Sequence, residues 1–387
     1  MSARRLAVTR LRLGRFRSYE GAELATGGAS VALHGPNGAG KTNLLEAVSL
    51  LVPGRGLRRA QPESFARAPD PAGWRLRAEV SGLAGEVEIV TGAGPGESGR
   101  RVEIDAKTVP QTRLGEHLRM VWLTPAMDGL WTDPAGSRRR FLDRLTMGFT
   151  PEHAQASIDY EKAMRERNRL LREDRADPAW LTALEERMAR LGAAIARARA
   201  GALARLVAAQ AAADTDFPKA ELAIEGEAEA RVGAALADAA DAAALDALEA
   251  ETATGLARSL AGSRRADAAA GRSLAGPHRS DLTAVYAEKG MPAATCSTGE
   301  QKALLISLCL SNARALAEAT GAAPVLLLDE VAAHLDPARR AALFAELGGL
   351  GAQVWATGTV PEQLAGLPGA RHLAVTEEAG ASRIAEA

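Results

Sequence analysis

The residues best suited to chemistry begin at Gly35-Pro36-Asn37-Gly38-Ala39-Gly40-Lys41-Thr42. Their spacing, G-x-x-x-x-G-K-[ST], lets backbone N–H groups converge on phosphate oxygens, while a following helix points its positive end at the same place. Lys41 is then expected to reach the β- and γ-phosphates of ATP, and the Thr42 hydroxyl to ligate Mg²⁺. A second group is Asp329-Glu330, two carboxylates closing the apolar run Pro324-Val325-Leu326-Leu327-Leu328. Behind a phosphate loop, Asp329 is placed to hold the Mg²⁺ sphere and Glu330 to orient or deprotonate an attacking water. A third is Cys296-Ser297-Thr298-Gly299-Glu300-Gln301-Lys302, hydroxyl and glycine groups at the head of an apolar helix expected over Ala303–Ala319. That is a second anion site. One γ-phosphate has no need of two, unless the second serves the nucleotide of a partner copy.

These groups need strands and helices to hold them, and the flanking patterns supply both. Ser30–His34 is a short apolar run that predicts a strand, and Asn43–Leu51 carries an apolar face at helical spacing. Leu6–Arg17 alternates as a strand with arginines between its apolar residues, then turns at Phe16-Arg17-Ser18-Tyr19. Between Gly73 and Pro110 the runs Trp74–Ser81, Gly85–Thr91 and Arg101–Ile104, separated by glycine turns, predict an antiparallel meander. Met120–Leu123 predicts one more buried strand. From about Asp133 to Ala213 the pattern is helical. Its long segments, Glu152–Asp174 and Pro178–Ala213, flank the helix-breaking Asp174–Pro178 and predict an antiparallel hairpin whose longer arm reaches about 50 Å at most. A strand over Ala220–Glu225, an alanine-rich helix over Gly233–Leu260 and a small, basic, mobile loop over Ser263–Arg272 complete this insert. A strand at Leu282–Ala287 follows. The organisation expected is a head built from residues 1–125 and 276–387, with a mostly helical lobe at 126–275 inserted into it.

Composition bounds the class. The chain has 387 residues, 47% hydrophobic and 25% charged, with a formal net charge of −1. A near-neutral chain can bind nucleic acid only through local basic patches. Arg138–Arg140 and Arg165–Arg175 are the densest clusters, and each reads either as a phosphate contact or as a solvated helix face. The loop Pro53-Gly54-Arg55-Gly56-Leu57-Arg58-Arg59 reads equally as a phosphodiester contact or a plain connection. Two cysteines, Cys296 and Cys309, are too few for a disulfide framework or a zinc site and suit a reducing compartment. No apolar leader-like run opens the chain, and no run approaches the ~18 apolar residues of a membrane span. A cytoplasmic location is expected, with no membrane partner.

The set of motifs resembles ABC-type ATPases, in which two heads sandwich two ATPs and each signature motif reaches across in trans. In that resemblance Ser297, Gly299 and Lys302 belong to the signature motif. Val331-Ala332-Ala333-His334-Leu335-Asp336 matches the loop that puts Asp336 near the dimer interface, and Arg17 and Tyr19 would lie by the nucleotide's base and phosphates, unless their strand is simply an edge with a solvated arginine face. Val354–Thr359 stands at the switch strand of that class, with threonines where a histidine is usual. No glutamine ends the Met120–Leu123 strand, so the lobe-coupling residue of the class is not in its place. Within the class, Phe16-Arg17-Ser18-Tyr19, Gly35–Val48, Arg138–Asp143, Gly276-Pro277-His278-Arg279-Ser280-Asp281, Ser297–Leu308, Asp329–Asp336 and Thr357-Gly358-Thr359 resemble the RecF family of bacterial recombination-mediator ATPases, from end to end of the chain.

That resemblance implies an α/β fold, an ABC-type P-loop head with an inserted helical lobe. It implies an ATP-driven homodimer on DNA, duplex or single/double-strand junction, with slow, DNA-stimulated hydrolysis that resets the dimer. It implies help in loading RecA at gaps, with RecR and RecO. A chromosome-structuring or break-repair ATPase shares such a head, but needs hundreds of coiled-coil residues between Thr42 and Ser297, where only 254 lie. A transporter nucleotide-binding subunit would need no helical insert and would normally carry the switch histidine.

Overall fold

The computed structural model describes residues 5–68, 72–173, 177–238 and 241–386, with backbone alone at 333 and 334. Two compact units form. The first comprises Met1–Asp128, Ala213–Phe217 and Leu305–Ala387, and the second Gly129–Ala212 and Pro218–Leu304.

In the first unit, a six-stranded antiparallel sheet runs in the order Tyr19–Ala25, Ala7–Phe16, Trp74–Gly82, Gly85–Ala93, Arg101–Ile104 and Lys107–Thr108. Trp74–Gly82 alternates between buried and exposed residues, the period of a sheet with one face on a core and one in water. Leu11, Leu13, Leu76, Ala78 and Ile89 line the buried face, in one core with Leu44, Leu45 and Val48 of the helix Lys41–Ser49. A second sheet runs Ala381–Glu386, Ala370–Glu378, Ser30–His34, Val354–Gly358, Val325–Leu328 and Met120–Leu123. Its pairings are parallel except at the hairpin edge formed by Ala370–Glu378 and Ala381–Glu386. Met120–Leu123 and Val325–Leu328 are buried at every residue, as parallel strands covered on both faces must be. The order puts the ends of Ser30–His34, Val354–Gly358 and Val325–Leu328 side by side, where the phosphate loop and both carboxylates leave the sheet.

The second unit holds helices Ala135–Phe149, Glu152–Leu170, Pro178–Ala212, Glu227–Ala237, Ala242–Gly262 and Arg264–Ala270, with an antiparallel sheet in the order Met291–Pro292, Asp281–Tyr286, Ala220–Glu225. Glu152–Leu170 and Pro178–Ala212 run antiparallel: Arg167 meets Glu185, while Tyr160, seven residues earlier, lies against Gly192. Tyr160, Ala163, Met188, Ile195 and Leu260 form their shared core. Residues 174–176 of the expected breaker lie outside those described.

Four expectations change. The alanine-rich stretch at 233–260 is two helices, the second capped at Asp241, whose carboxylate accepts from the Ala244 N–H at 2.8 Å. The expected mobile loop at 263–272 contains the helix Arg264–Ala270, because Asp267 is buried against Arg167 and Arg264 pairs with Glu185. The helix expected from Ala303 begins at Thr298. Residues 276–304, read from the sequence with the head, pack with the helical unit. Among the described residues no helix is long and apolar enough to cross a membrane.

Candidate phosphate-binding and signature sites

The phosphate loop takes its shape from glycine. Gly35 (φ +148°) and Gly40 (φ +110°) hold conformations that L side chains rarely adopt. A Cβ on Gly35 would lie 2.1 Å from the Val375 carbonyl oxygen, and one on Gly40 would lie 2.2 Å from Ser382 Oγ. At Gly38, by contrast, a Cβ would meet nothing within 4 Å, so the crest of the loop between Pro36 and Ala39 is open. Tyr19, fully buried, donates its hydroxyl to the Gly40 carbonyl at 3.1 Å and braces the loop from beneath.

Lys41 is buried, and its Nζ donates to the Gly35 and Pro36 carbonyls at 2.7 and 2.9 Å. Burial lowers its pKa, opposed by the charges of Glu330 and Asp329, so the ammonium and both carboxylates share one electrostatic neighbourhood. The Thr42 hydroxyl lies 2.9 and 3.1 Å from the two oxygens of Asp329. Burial pushes the Asp329 carboxyl up. Hydrogen bonds from Thr42 and Thr357 pull it down, the charge of Glu330 raises it, and that of Arg58 lowers it. Glu330 itself has φ +53°, a left-handed backbone unusual for glutamate.

This donor set suits Mg²⁺ held with ATP. A hydroxyl and a carboxylate converge across 287 residues of sequence, beside a buried ammonium and an open glycine crest. Among the described residues, no group of three or more His, Cys, Asp or Glu could hold a metal by itself. A divalent ion with few protein ligands, completed by phosphate oxygens and water, matches the habit of Mg²⁺.

Other expected site residues are placed differently. The Arg17 guanidinium is held by Glu46 (2.8 and 3.0 Å) and the Ser64 carbonyl (2.7 Å), and it lies over the Phe65 ring. Its donors are engaged within the first unit. Asp336 caps the helix Pro337–Leu350, accepting from the Arg339 N–H at 2.9 Å. In the second unit, Ser297 and Glu300 form a reciprocal capping box, with Ser297 N–H and Oγ each 2.8 Å from Glu300 Oε2. Lys289 and Ser297 together hold the Glu300 carboxyl down at about 2. Ser297 and Gly299 are exposed, whereas Lys302 is only 9% exposed, so it is an interior residue and not a surface partner to Ser297.

The basic clusters are also largely spent inside the second unit. Arg138 makes a two-pronged ion pair with Asp281 at 2.8 and 2.6 Å, and Arg139 donates to the Ser280 carbonyl at 2.6 Å. Arg167 is fully buried among Glu185, Asp267 and Ser273, while Arg165 and Arg169 pair with acids on their own helix. Arg175 lies outside the described residues.

The Gly-Pro-His-Arg-Ser-Asp run is the hub of that unit. His278 Nε2–H donates to the Ser273 carbonyl at 3.0 Å, which leaves Nδ1 to accept from the Tyr160 hydroxyl at 2.8 Å. Arg199 donates to the Pro277 carbonyl, Asp143 and Glu229, and Ser280 Oγ also meets Glu229.

Two residues at the phosphate site went unassigned in the sequence. Arg58, half exposed, donates to Asn43 Oδ1 at 2.8 Å and lies close enough to Asp329 to lower its pKa. Its signal was present in the glycine-rich basic loop, without a means to choose among three arginines. Thr357 joins Asp329 to Glu330, and only the register of its strand reveals that.

Comparison with known proteins bears on the family and the fold. The RecF/RecN/SMC N-terminal domain family matches residues 7–365. The chain is 49% identical over 358 residues to the DNA replication and repair protein RecF of Mesorhizobium japonicum, covering 91% of each. It is 49% identical over 360 residues to RecF of Brucella suis, covering 92% of this chain and 90% of that one. Its fold is similar to the solved structure of the recombination mediator protein RecF-ATP in the RecFOR pathway, with a TM-score of 0.82, 22% identity and 99% of each chain covered. An Smc head bound to the C-winged helix domain of ScpA is a more distant match, with a TM-score of 0.54, 14% identity and 98% and 97% covered. With an ABC/SMC-type head fold and this kinship along nine-tenths of its length, the chain belongs to the RecF family of DNA replication and repair proteins.

Proposed function

We propose that this protein is a recombination-mediator ATPase whose ATP-bound homodimer clamps DNA, duplex or at a single/double-strand junction. In this reading it works in the cytoplasm with RecR and RecO to help load RecA at gaps. The observation that carries the reading is the contact of Thr42 with Asp329, which joins the phosphate loop to the carboxylate strand as a magnesium-nucleotide site requires. The glycine loop would bind phosphate through its N–H groups, and Lys41 would leave its two carbonyl partners for phosphate oxygens. Thr42 and Asp329 would hold Mg²⁺, which supplies charge neutralisation at the β- and γ-phosphate oxygens. Glu330 would orient the attacking water and accept its proton. Arg58 would add positive charge at the rim.

In the dimer, Ser297 and Gly299 of one copy would face the nucleotide held by Lys41 of the other, with Asp336 near the junction. The exposure of Ser297 and Gly299 supports this, while Lys302 is buried in the free chain. The longest helix, Pro178–Ala212, has 35 residues, a short arm that fits a RecF-type clamp better than a long coiled-coil ATPase. The test is mass in solution, with and without Mg-ATP, for wild type, Lys41→Ala and Glu330→Gln. Wild type is expected to dimerise with ATP, Glu330→Gln to stay dimeric longer and retain added duplex, and Lys41→Ala to remain a monomer. A mass indifferent to ATP would sink the trans arrangement, and normal hydrolysis by Glu330→Gln would remove the base assignment.

A further inference from the structure

The parallel pairing of Val325–Leu328 with Val354–Gly358 runs from Leu326↔Val354 to Leu328↔Ala356 and stops there. Just beyond it the chain must place two carboxylates in sequence, the second on a left-handed backbone. On one side the ladder continues, since Asp329 N–H donates to the Leu123 carbonyl at 2.9 Å. On the other side a side chain takes over. Thr357 Oγ1 accepts from Glu330 N–H at 2.8 Å and lies 2.9 Å from Asp329 Oδ1.

An ionised carboxylate can only accept, so the Thr357 hydroxyl proton points to Asp329 and its lone pairs are left for the Glu330 amide. Thr357 is fully buried, so no water substitutes for it from the solvent side. Asp329 Oδ1 is also 2.9 Å from the Thr42 hydroxyl. Thr42, Asp329, Thr357 and Glu330 therefore form one hydrogen-bonded chain, running from the phosphate loop to the backbone of the candidate base. A left-handed glutamate is strained and persists only where its surroundings over-determine it. The Thr357 hydroxyl is the polar partner that does so.

We propose that Thr357 is a positioning residue for hydrolysis, its hydroxyl setting Glu330 relative to Asp329 and the phosphate loop. This rests on reading Asp329 and Glu330 as the metal-side and water-side carboxylates. Thr357 touches neither nucleotide nor water in this scheme and acts through Glu330. Valine has nearly the shape of threonine without the hydroxyl, and serine keeps the hydroxyl without the methyl, so the two substitutions separate hydrogen bonding from packing.

The experiment compares wild type, Thr357→Val, Thr357→Ser and Lys41→Ala. The first readout is amide exchange at Glu330 in nucleotide-free protein, which needs no ATPase activity. Thr357→Val is expected to speed that exchange roughly fivefold or more, as loss of one hydrogen bond does, while Thr357→Ser leaves it near wild type. The second readout is nucleotide affinity against turnover. Thr357→Val is expected to bind a fluorescent ATP analogue like wild type and to turn ATP over about 10- to 100-fold more slowly, the scale of a misplaced catalytic group. Thr357→Ser is expected to recover most of that loss. Unchanged exchange in Thr357→Val, or equal turnover in the valine and serine variants, would overturn the proposal. Absence of turnover in the wild type would overturn the ATPase reading instead, and the exchange readout would still decide the hold of Thr357 on Glu330.

Discussion

Arg167 offers the sharpest test of what the arginines of the helical unit do. It is fully buried and donates to Glu185 at 3.0 Å, Asp267 at 2.7 Å, Ser273 at 2.9 Å and the Leu260 carbonyl at 2.8 Å. Arg167→Met keeps much of the volume and removes the charge. Breaking a buried ion pair from one side costs about 3–5 kcal/mol, because the remaining charge stays desolvated. Here the lower end applies. Glu185 keeps Arg264 at 2.6 Å, and Asp267 keeps the Ser263 hydroxyl at 2.8 Å and the Leu274 N–H at 3.0 Å. A loss of about 3 kcal/mol is a little over two decades in an opening equilibrium. Since the chain has two units, a single melting temperature is a poor measure, and amide exchange over the segments 160–170 and 181–196 isolates this core. Arg167→Met is expected to accelerate exchange there about a hundredfold. Arg169→Ala, whose partners are Glu166 on the same helix and Glu173 in the turn that follows it, is expected to change it less than about fivefold. Similar effects for the two variants would refute the reasoning, because Arg167 is buried in long-range contacts and Arg169 is exposed in local ones.

Two further outcomes follow from the sites. Arg58→Ala is expected to leave the protein folded, since the side chain is half exposed and Glu46 keeps Arg17, but to weaken Mg-ATP binding about tenfold; an unchanged affinity in a nucleotide titration would remove Arg58 from the site. Burial lowers the His278 pKa below its ordinary 6.5, so the folded state binds fewer protons than the unfolded state in the window beneath that value. Its contribution to stability is therefore fully present above pH 6.5 and is lost as pH falls through the folded pKa. In denaturation of the helical unit followed across that window, His278→Gln should flatten the pH dependence, and an identical slope in the variant would contradict the buried, neutral imidazole.

The phosphate loop was legible because its chemistry is local: eight consecutive residues between a strand and a helix define it. Asp329 and Glu330 were legible for the same reason, as the end of an apolar strand. The neighbours of those residues were not. Arg17 stands in a family-like run, yet its fate depends on Glu46, a charged residue of the following helix that is completely buried. Lys302 follows the signature serine by five residues, and helical rotation carries it inward. The helix Arg264–Ala270 was hidden because its sequence, Arg-Arg-Ala-Asp-Ala-Ala-Ala, has no apolar face of its own; ion pairs with residues about 80 and 100 positions away hold it. Local pattern reports what a segment can form, while long-range charge pairing decides what these short polar segments do form.

The same distinction bears on the proposed contact with DNA. The sequence places arginines in dense runs, and a count along the chain suggests basic surfaces at 138–140 and 165–175. In the folded unit several of these arginines face acids: Arg138 faces Asp281, Arg165 faces Glu161, Arg167 faces Glu185 and Asp267, and Arg169 faces Glu166 and Glu173. Arg139 and Arg172 donate instead to the Ser280 and Asn168 carbonyls, and Arg140 to the Ser137 hydroxyl. A guanidinium already held by a carboxylate gives little to a phosphate, because the gain is offset by the pair it must leave. Cations such as Lys162, Arg172 and Arg190 near the helical hairpin, Arg279 in the hub and Arg75 on the open face of the meander make no ion pair among the described residues. Single cations of this kind bind weakly, and each additional phosphate contact adds to affinity and to its salt dependence. Two copies brought together by nucleotide would double every such contact on one duplex. For a chain with net charge −1, the proposed clamp would thus gain DNA affinity from dimerisation rather than from a basic monomer surface.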